Sequence, residues 1–270
     1  MSKQAFIKPS ICLALGLSLM APSAFASVPW VGSVDYSQAP SALGTEPTVG
    51  PFDTYDFGAG VTLIQLTSGS TFNGYYQTLV SGHFLNNIGI NVPGLDISGT
   101  GAGFEVTATA SFSGTYSNVG NLSNINYTSG EVNVYFDPTS NYSFTSDTGF
   151  DDGDAILSGT ITGGSAFIDL TSGLGVSQLE LQLSGTDVFS PNTINGGSAL
   201  FSINLSNPDL LTGITSVLGQ DVAGGGFSLL SAADGSIQLT AVPIPAAAWL
   251  FLSGLMGFVG LTRHKSTLNA

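Results

Sequence analysis

Four aspartates fall within eight residues, Asp147, Asp151, Asp152 and Asp154, interleaved with Gly149 and Gly153. Carboxylate oxygens at such short spacing suit Ca²⁺, a hard cation that takes about six to eight oxygen ligands. Asp137 and Asn141 lie just upstream. The order of an EF-hand is absent, because neither its central glycine nor its distal glutamate is in place. Calcium is therefore the candidate cofactor of this cluster. The competing reading is a solvated hairpin loop whose Asp and Asn side chains hydrogen-bond their own turn.

Other chemistries find less to work with. His83 is the single histidine between the two chain ends, and no Gly-x-Ser-x-Gly elbow accompanies it, so a Ser-His-Asp triad has no framework. One histidine and no cysteine between the ends also leave zinc without its usual ligands. Paired carboxylates would serve a glycosidase, and 18 acidic residues supply many pairs. Aromatic platforms for sugar would come from Tyr75, Tyr76, Tyr116, Tyr127, Tyr135 and Tyr142, since Trp30 is the one tryptophan before the tail. Gly99, Gly101 and Gly103 lead through Phe104 into a strand pattern and not a helix, so they are no phosphate loop. The chain reads as non-enzymatic, with a carbohydrate-active enzyme as the alternative.

The charge distribution narrows the partners. The four basic residues, Lys3, Lys8, Arg263 and Lys265, all sit at the ends, and residues 27–240 hold all 18 Asp and Glu with no Lys, Arg or Cys. Nothing there neutralises phosphates, which excludes nucleic acid. No internal Lys or Arg ion pair and no disulfide can form, so apolar burial and hydrogen bonds must hold the fold. The acidic surface repels anionic polymers unless cations bridge them.

The elements positioning these residues repeat with period two. Phe104, Val106, Ala108, Ala110 and Phe112 alternate with Glu105, Thr107, Thr109 and Ser111. Val132, Val134 and Phe136, then Leu179, Leu181 and Leu183, then Phe201, Ile203 and Leu205 alternate with polar neighbours in the same way. This is the signature of half-buried antiparallel strands. Further strands are expected over 61–67, 75–81, 155–161, 165–170, 226–231 and 236–241. The predicted fold is all-β, one antiparallel β-sandwich or jelly-roll-like domain over 27–240. A short helix is expected after Asn207 and Pro208, with Leu210, Leu211, Ile214, Val217 and Leu218 on one face and Gly219 as its stop. Residues 28–58, with Pro29, Pro40, Pro47 and Pro51, predict an irregular N-terminal arm or an edge strand.

Both ends read as targeting segments. Lys3 and Lys8, an apolar run over 11–20, and Ala24-Phe25-Ala26 form a signal peptide cut after Ala26, spanning 1–26. At the other end come Val242, Pro243, Ile244 and Pro245, an uncharged run over 246–262 that contains Trp249, and then Arg263, His264 and Lys265. As a helix the run is about 25 Å long, enough to cross a bilayer with Trp249 and the basic residues at the two interfaces. A sorting and transmembrane segment over 241–265 and a cytoplasmic tail over 266–270 follow, and an ordinary anchor or a buried helix is the competing reading. The Pro-x-Pro, Ala-Ala-Ala-Trp-Leu-Phe, Ser-Gly-Leu and basic-end succession resembles the PEP-CTERM sorting signal, with Ile244 where that motif has Glu. The resemblance implies export, a transient inner-membrane anchor and processing by an exosortase, a membrane protease-transpeptidase.

A second resemblance lies in the domain itself. Phe72-Asn73-Gly74-Tyr75-Tyr76-Gln77-Thr78, Val134-Tyr135-Phe136-Asp137-Pro138 and Gly153-Asp154-Ala155-Ile156-Leu157-Ser158-Gly159 are similar to stretches of flocculation-associated PEP-CTERM proteins. That implies a non-catalytic protein of the cell surface or extracellular matrix, associating with extracellular polysaccharide in flocs or biofilm. A self-assembling structural surface protein is a further alternative.

Overall fold

The computed structural model describes residues 28–206, 211–224 and 226–242. Its β domain is the compact unit Ser27–Val242. Strands are numbered in chain order. Eight of them make a closed antiparallel barrel: β5 (Gly60–Thr67), β6 (Thr71–Leu85), β8 (Glu105–Val119), β9 (Leu122–Asp137), β10 (Asp154–Asp169), β11 (Gly175–Gly185), β13 (Ser198–Ser206) and β16 (Ser228–Ala241). Each pairs with the next along the chain, and β16 returns to β5. A short strand, β4 (Thr54–Phe57), extends the seam by pairing with both β6 and β16.

The all-β expectation holds, but the sandwich or jelly roll is corrected to an up-and-down barrel. Period-two alternation is the same in both architectures. What separates them is whether the last strand finds the first, and here Ala233↔Gly60 through Ser228↔Gln65 supply that closure. Closure leaves the barrel sheet without a free run of backbone donors and acceptors along its seam.

An eight-stranded barrel has an interior just wide enough for side chains. Here it is filled by Phe57, Phe72, Tyr76, Phe112, Tyr127 and Phe201 among aliphatic residues, all buried in one core. Tyr76 and Phe57 meet Phe201 with ring centroids 5.4 and 5.7 Å apart, and Phe112 meets Tyr127 at 5.2 Å. Gly74 faces Phe112 across the β6–β8 ladder, and the Phe112 ring lies over the space that a Cβ at Gly74 would take.

Two expected interruptions are continuous strand. The pairs 155–161 with 165–170 and 226–231 with 236–241 merge into β10 and β16. Gly163 and Gly164 read as a turn, yet the ladder to β11 runs through them with a register shift, a β-bulge. Gly164 has φ +139, and a Cβ there would strike the Gln178 carbonyl, so the bulge requires glycine.

The N-terminal stretch is not an irregular arm but supplies edge strands, the other form expected of it. β1 (Val28–Pro29) pairs with the end of β16, while β2 (Gly32–Asp35) and β3 (Thr48–Phe52) join β12 (Phe189–Ser190) in a small sheet. This sheet closes the barrel end at which β6, β9, β11 and β16 finish. Trp30 packs edge-on against Phe52 and Phe189 and donates its indole N–H to the Pro191 carbonyl at 2.9 Å. Tyr36 stacks on Phe136 at 5.5 Å. β7 (Ile88–Ile90) folds back on the end of β6. Val28 pairs with Ala241, so the domain's two ends meet at this plugged end.

The expected helix is also corrected. Residues 207–210 lie outside the described residues, and Leu211 onward forms turns and a small hairpin of β14 (Ser216–Val217) and β15 (Gln220–Asp221). Thr212, Gly213 and Thr215 are poor helix formers. The apolar residues are instead used flat: Val217, with Leu211, Ile214 and Leu218, covers Val61 and Leu63 on the outer face of β5 as a second core. The expected signal peptide and the expected C-terminal transmembrane helix fall outside the described residues, among which no helix is long and apolar enough to cross a membrane.

Candidate functional site

The four clustered aspartates do not converge. Asp147 accepts the backbone N–H of Leu218 at 2.9 Å and of Gly219 at 2.8 Å, pinning the β14–β15 turn. Asp154 accepts both the N–H and the hydroxyl of Ser41, at 2.6 and 2.7 Å. Asp152 accepts from the Asn141 carboxamide at 3.2 Å, and Asp151 is exposed. Among the described residues, no three His, Cys, Asp or Glu side chains stand together as a metal-holding group. Three of the four carboxylates thus serve as loop ties, the turn-bonding use open to Asp from the outset.

A denser acidic arrangement lies beneath the same loop. Residues 138–153 fold over the outer face of β8, where the Thr107 hydroxyl donates to the Phe150 carbonyl at 2.8 Å. Glu105, on the polar side of its strand, is left 1% exposed. Its Oε2 accepts the N–H groups of Asn141 and Tyr142 at 3.0 and 3.3 Å, while Oε1 has no partner among the described residues. Burial raises the Glu105 carboxyl above its ordinary pKa. Its cross-strand partner Asp137 is raised too, first by burial and then by repulsion from Asp152 and Asp154. No Lys or Arg occurs between residues 27 and 240 to offset this. Protonation is the local relief for such a group.

His83 is enclosed at the plugged end. Its Nε2 pairs with the Tyr36 hydroxyl at 2.7 Å, its ring lies against Phe52 and Tyr55, and its Nδ1 has no partner among the described residues. Burial pulls its pKa down to about 3, so the ring is neutral at ordinary pH. It is a core residue without access to substrate. The glycine-rich stretch before Phe104 cradles an anion of the chain's own. Asp96 accepts from the N–H and hydroxyl of Ser98, the N–H and hydroxyl of Thr100 and the N–H of Ala102. The Ser98 hydroxyl leads the bonds that hold this carboxyl well below the usual range.

Of the tyrosines proposed as sugar platforms, Tyr76 and Tyr127 are interior, as is Trp30, and Tyr75, Tyr116, Tyr135 and Tyr142 are half-buried. Burial pushes the Tyr127 hydroxyl up to about 12, although it bonds Ser177 at 2.7 Å. Two aromatic rings stand free among the described residues, Phe167, 57% exposed on β10, and Phe227, 48% exposed just before β16. Alternation contained the signal for Phe167: Ala166 and Ile168 point inward, so Phe167 shares the outer face with Ser165 and Asp169. With Val176, Gln178, Ser202 and Asn204 it lines a groove of about 360 Å³ across β10, β11 and β13. A second depression of about 350 Å³ continues along β11 past Glu180 and Gln182.

Of the residues expected to carry sorting, Val242 ends the described chain, its N–H bonded to the Thr193 carbonyl at 3.2 Å. Pro243, Ile244, Pro245, Trp249, Arg263 and Lys265, like Ala24 and Ala26 at the expected cleavage site, lie outside the described residues. No protein-family model, curated protein or solved structure matches the chain.

Proposed function

We propose that this chain is an exported, non-catalytic protein of the cell surface or extracellular matrix that associates with extracellular polysaccharide. Its C-terminal segment over 241–265 holds it transiently in the inner membrane for an exosortase-type protease. The observation that carries the reading is the partition of charge: all four Lys and Arg flank the two apolar ends, and all 18 acids lie between them. A basic n-region, an uncharged run and a basic stop are what export and membrane retention require. The pairing of Val28 with Ala241 suits this plan, because both targeting segments then join the domain at one end.

The carbohydrate-active alternative rests on the proximity of Glu105 and Asp137. Against it, the loop over 138–153 covers Glu105, and one oxygen is already held by two backbone N–H groups. Self-assembly through sheet edges has little purchase on a closed barrel. Calcium enters as a bridge between surface carboxylates and an anionic polymer.

The test is deletion of residues 242–270 in the producing cell. The expected outcome is loss of surface delivery and of floc formation, scored by surface labelling and settling. Unchanged delivery rejects the sorting reading. Intact mass of the extracellular form, expected to begin at Ser27 and to end near Pro245, checks both processing points.

A further inference from the structure

We propose that the outer-face groove across β10, β11 and β13 is a subsite for a segment of neutral polysaccharide. This deepens the reading above and rests on its matrix association. Register builds the groove. Phe167, Val176 and Asn204 stand in one cross-strand row, and Ser165, Gln178 and Ser202 in the next. The first row offers an exposed aromatic face beside an aliphatic one, the second hydroxyls and a carboxamide.

That pairing fits a sugar ring. Its C–H face is apolar and packs on an aromatic plane, while its edge hydroxyls need donors and acceptors together. Gln178 and Asn204 supply both, and Ser165 and Ser202 adapt by rotating their hydroxyls. A compact apolar ligand would leave these polar groups unpaired, and an anionic one would find no counter-charge.

Charge selects the polymer. Among the described residues, no ionisable side chain lines the groove. Glu180 lies two positions along β11 from Gln178, and Asp234 stands opposite Asn204 on β16. Carboxylates at the margin accept bonds from sugar hydroxyls and repel uronate or sulfate. The shape favours a chain over a monosaccharide. The two depressions follow β11 from Val176 to Gln182, a span of about 20 Å at the usual strand rise. Beside that path Gly163 of the bulge carries no side chain, and a Cβ there would meet nothing nearer than Glu180 Oε2 at 3.7 Å. A glycine in a strand marks a place of close approach.

The experiment uses the full chain in detergent micelles. The probes are the neutral and anionic fractions of the producing cell's exopolysaccharide, separated on an anion exchanger. The expected result is retention of the neutral fraction, weakened about tenfold by Phe167→Ala, a loss typical of one aromatic contact. Gln178→Ala, also at an exposed position, repeats the test independently of any effect of the first variant on folding. Val119→Ala, exposed outside the groove, leaves retention unchanged. Wild-type retention by both groove variants overturns the proposal, as does equal loss in Val119→Ala. A dimer seen by sedimentation and lost in Phe167→Ala also overturns it, assigning the face to a second copy. Binding of only the anionic fraction removes this groove and leaves matrix association standing. Binding of neither removes both.

Discussion

The two ends of the barrel are made of the same alternating strands and have opposite fates. At the end where the chain enters and leaves, Trp30, Tyr36, Phe52 and Phe189 are drawn in from outside the barrel ladder and almost completely buried. At the hairpin end Val119, Leu122 and Leu174 stand on the turns that join β8 to β9 and β10 to β11, each more than half exposed. No local propensity separates these groups. The difference is that one end has a separate segment folded across it, and burial follows from what arrives from elsewhere in the chain. An aromatic side chain recruited that way buries about 150–250 Å², so the plug carries much more stabilisation than any hairpin tip.

The contrast is broken most directly by truncation at each end. Trp30→Ala removes a buried ring and its bond to Pro191, and is expected to cost about 3–5 kcal/mol. Leu122→Ala, at a tip, stays within about 0.5 kcal/mol of the parent protein. Urea unfolding measures both, and equal losses would mean that the plug is not the stabilising end.

Acid is the next probe of the plug. The unfolded chain's imidazole takes up a proton near its ordinary pKa, whereas folded His83 resists until about 3. Protonation therefore favours unfolding in that window. The stability tied to neutral His83 is complete above about pH 6.5 and falls as pH drops towards 3, by up to about 4 kcal/mol. The raised carboxyls of Glu105, Asp137 and Asp234 act in the opposite sense, gaining stability as pH falls through their folded pKa values. His83→Gln separates the two, and its unfolding free energy is expected to lose less on acidification than the parent's. Parallel pH curves for parent and variant would contradict a neutral buried imidazole.

A smaller effect than at the plug lies on the barrel wall. Glu105→Gln removes a buried charge that no cation balances. It is expected to raise stability by about 1 kcal/mol near neutral pH. The gain shrinks as pH falls through the raised Glu105 pKa, because the native carboxyl is then neutral as well. A loss of stability at neutral pH would show that Asn141 and Tyr142 need the full carboxylate.

Much of the barrel was legible. The inward residues of β8, β9, β11 and β13 were readable from period two alone, because a strand's side chains must alternate whatever it packs against. Glycine was the misleading signal. Gly163 and Gly164 look like a turn, yet a barrel wall needs a bulge at that point, and both uses call for the same residue. The helix expected after Pro208 failed because its apolar residues were matched to a helical face, while Val61 and Leu63 offered a flat one.

The candidate site divides along the same line. Phe167 was identifiable by parity. The burial of Glu105 was not, since it depends on a loop 33 or more residues downstream folding over β8. Sequence alone determined the all-β class, the cation-free domain and the basic, apolar ends, because alternation and charge are properties of the chain before it folds. Tertiary structure decided that the sheet closes as a barrel, that the N-terminal strands become its plug, and that neighbouring aspartates bond to separate partners. Those outcomes depend on which distant segments meet, and contact between residues far apart in the chain has no local signature.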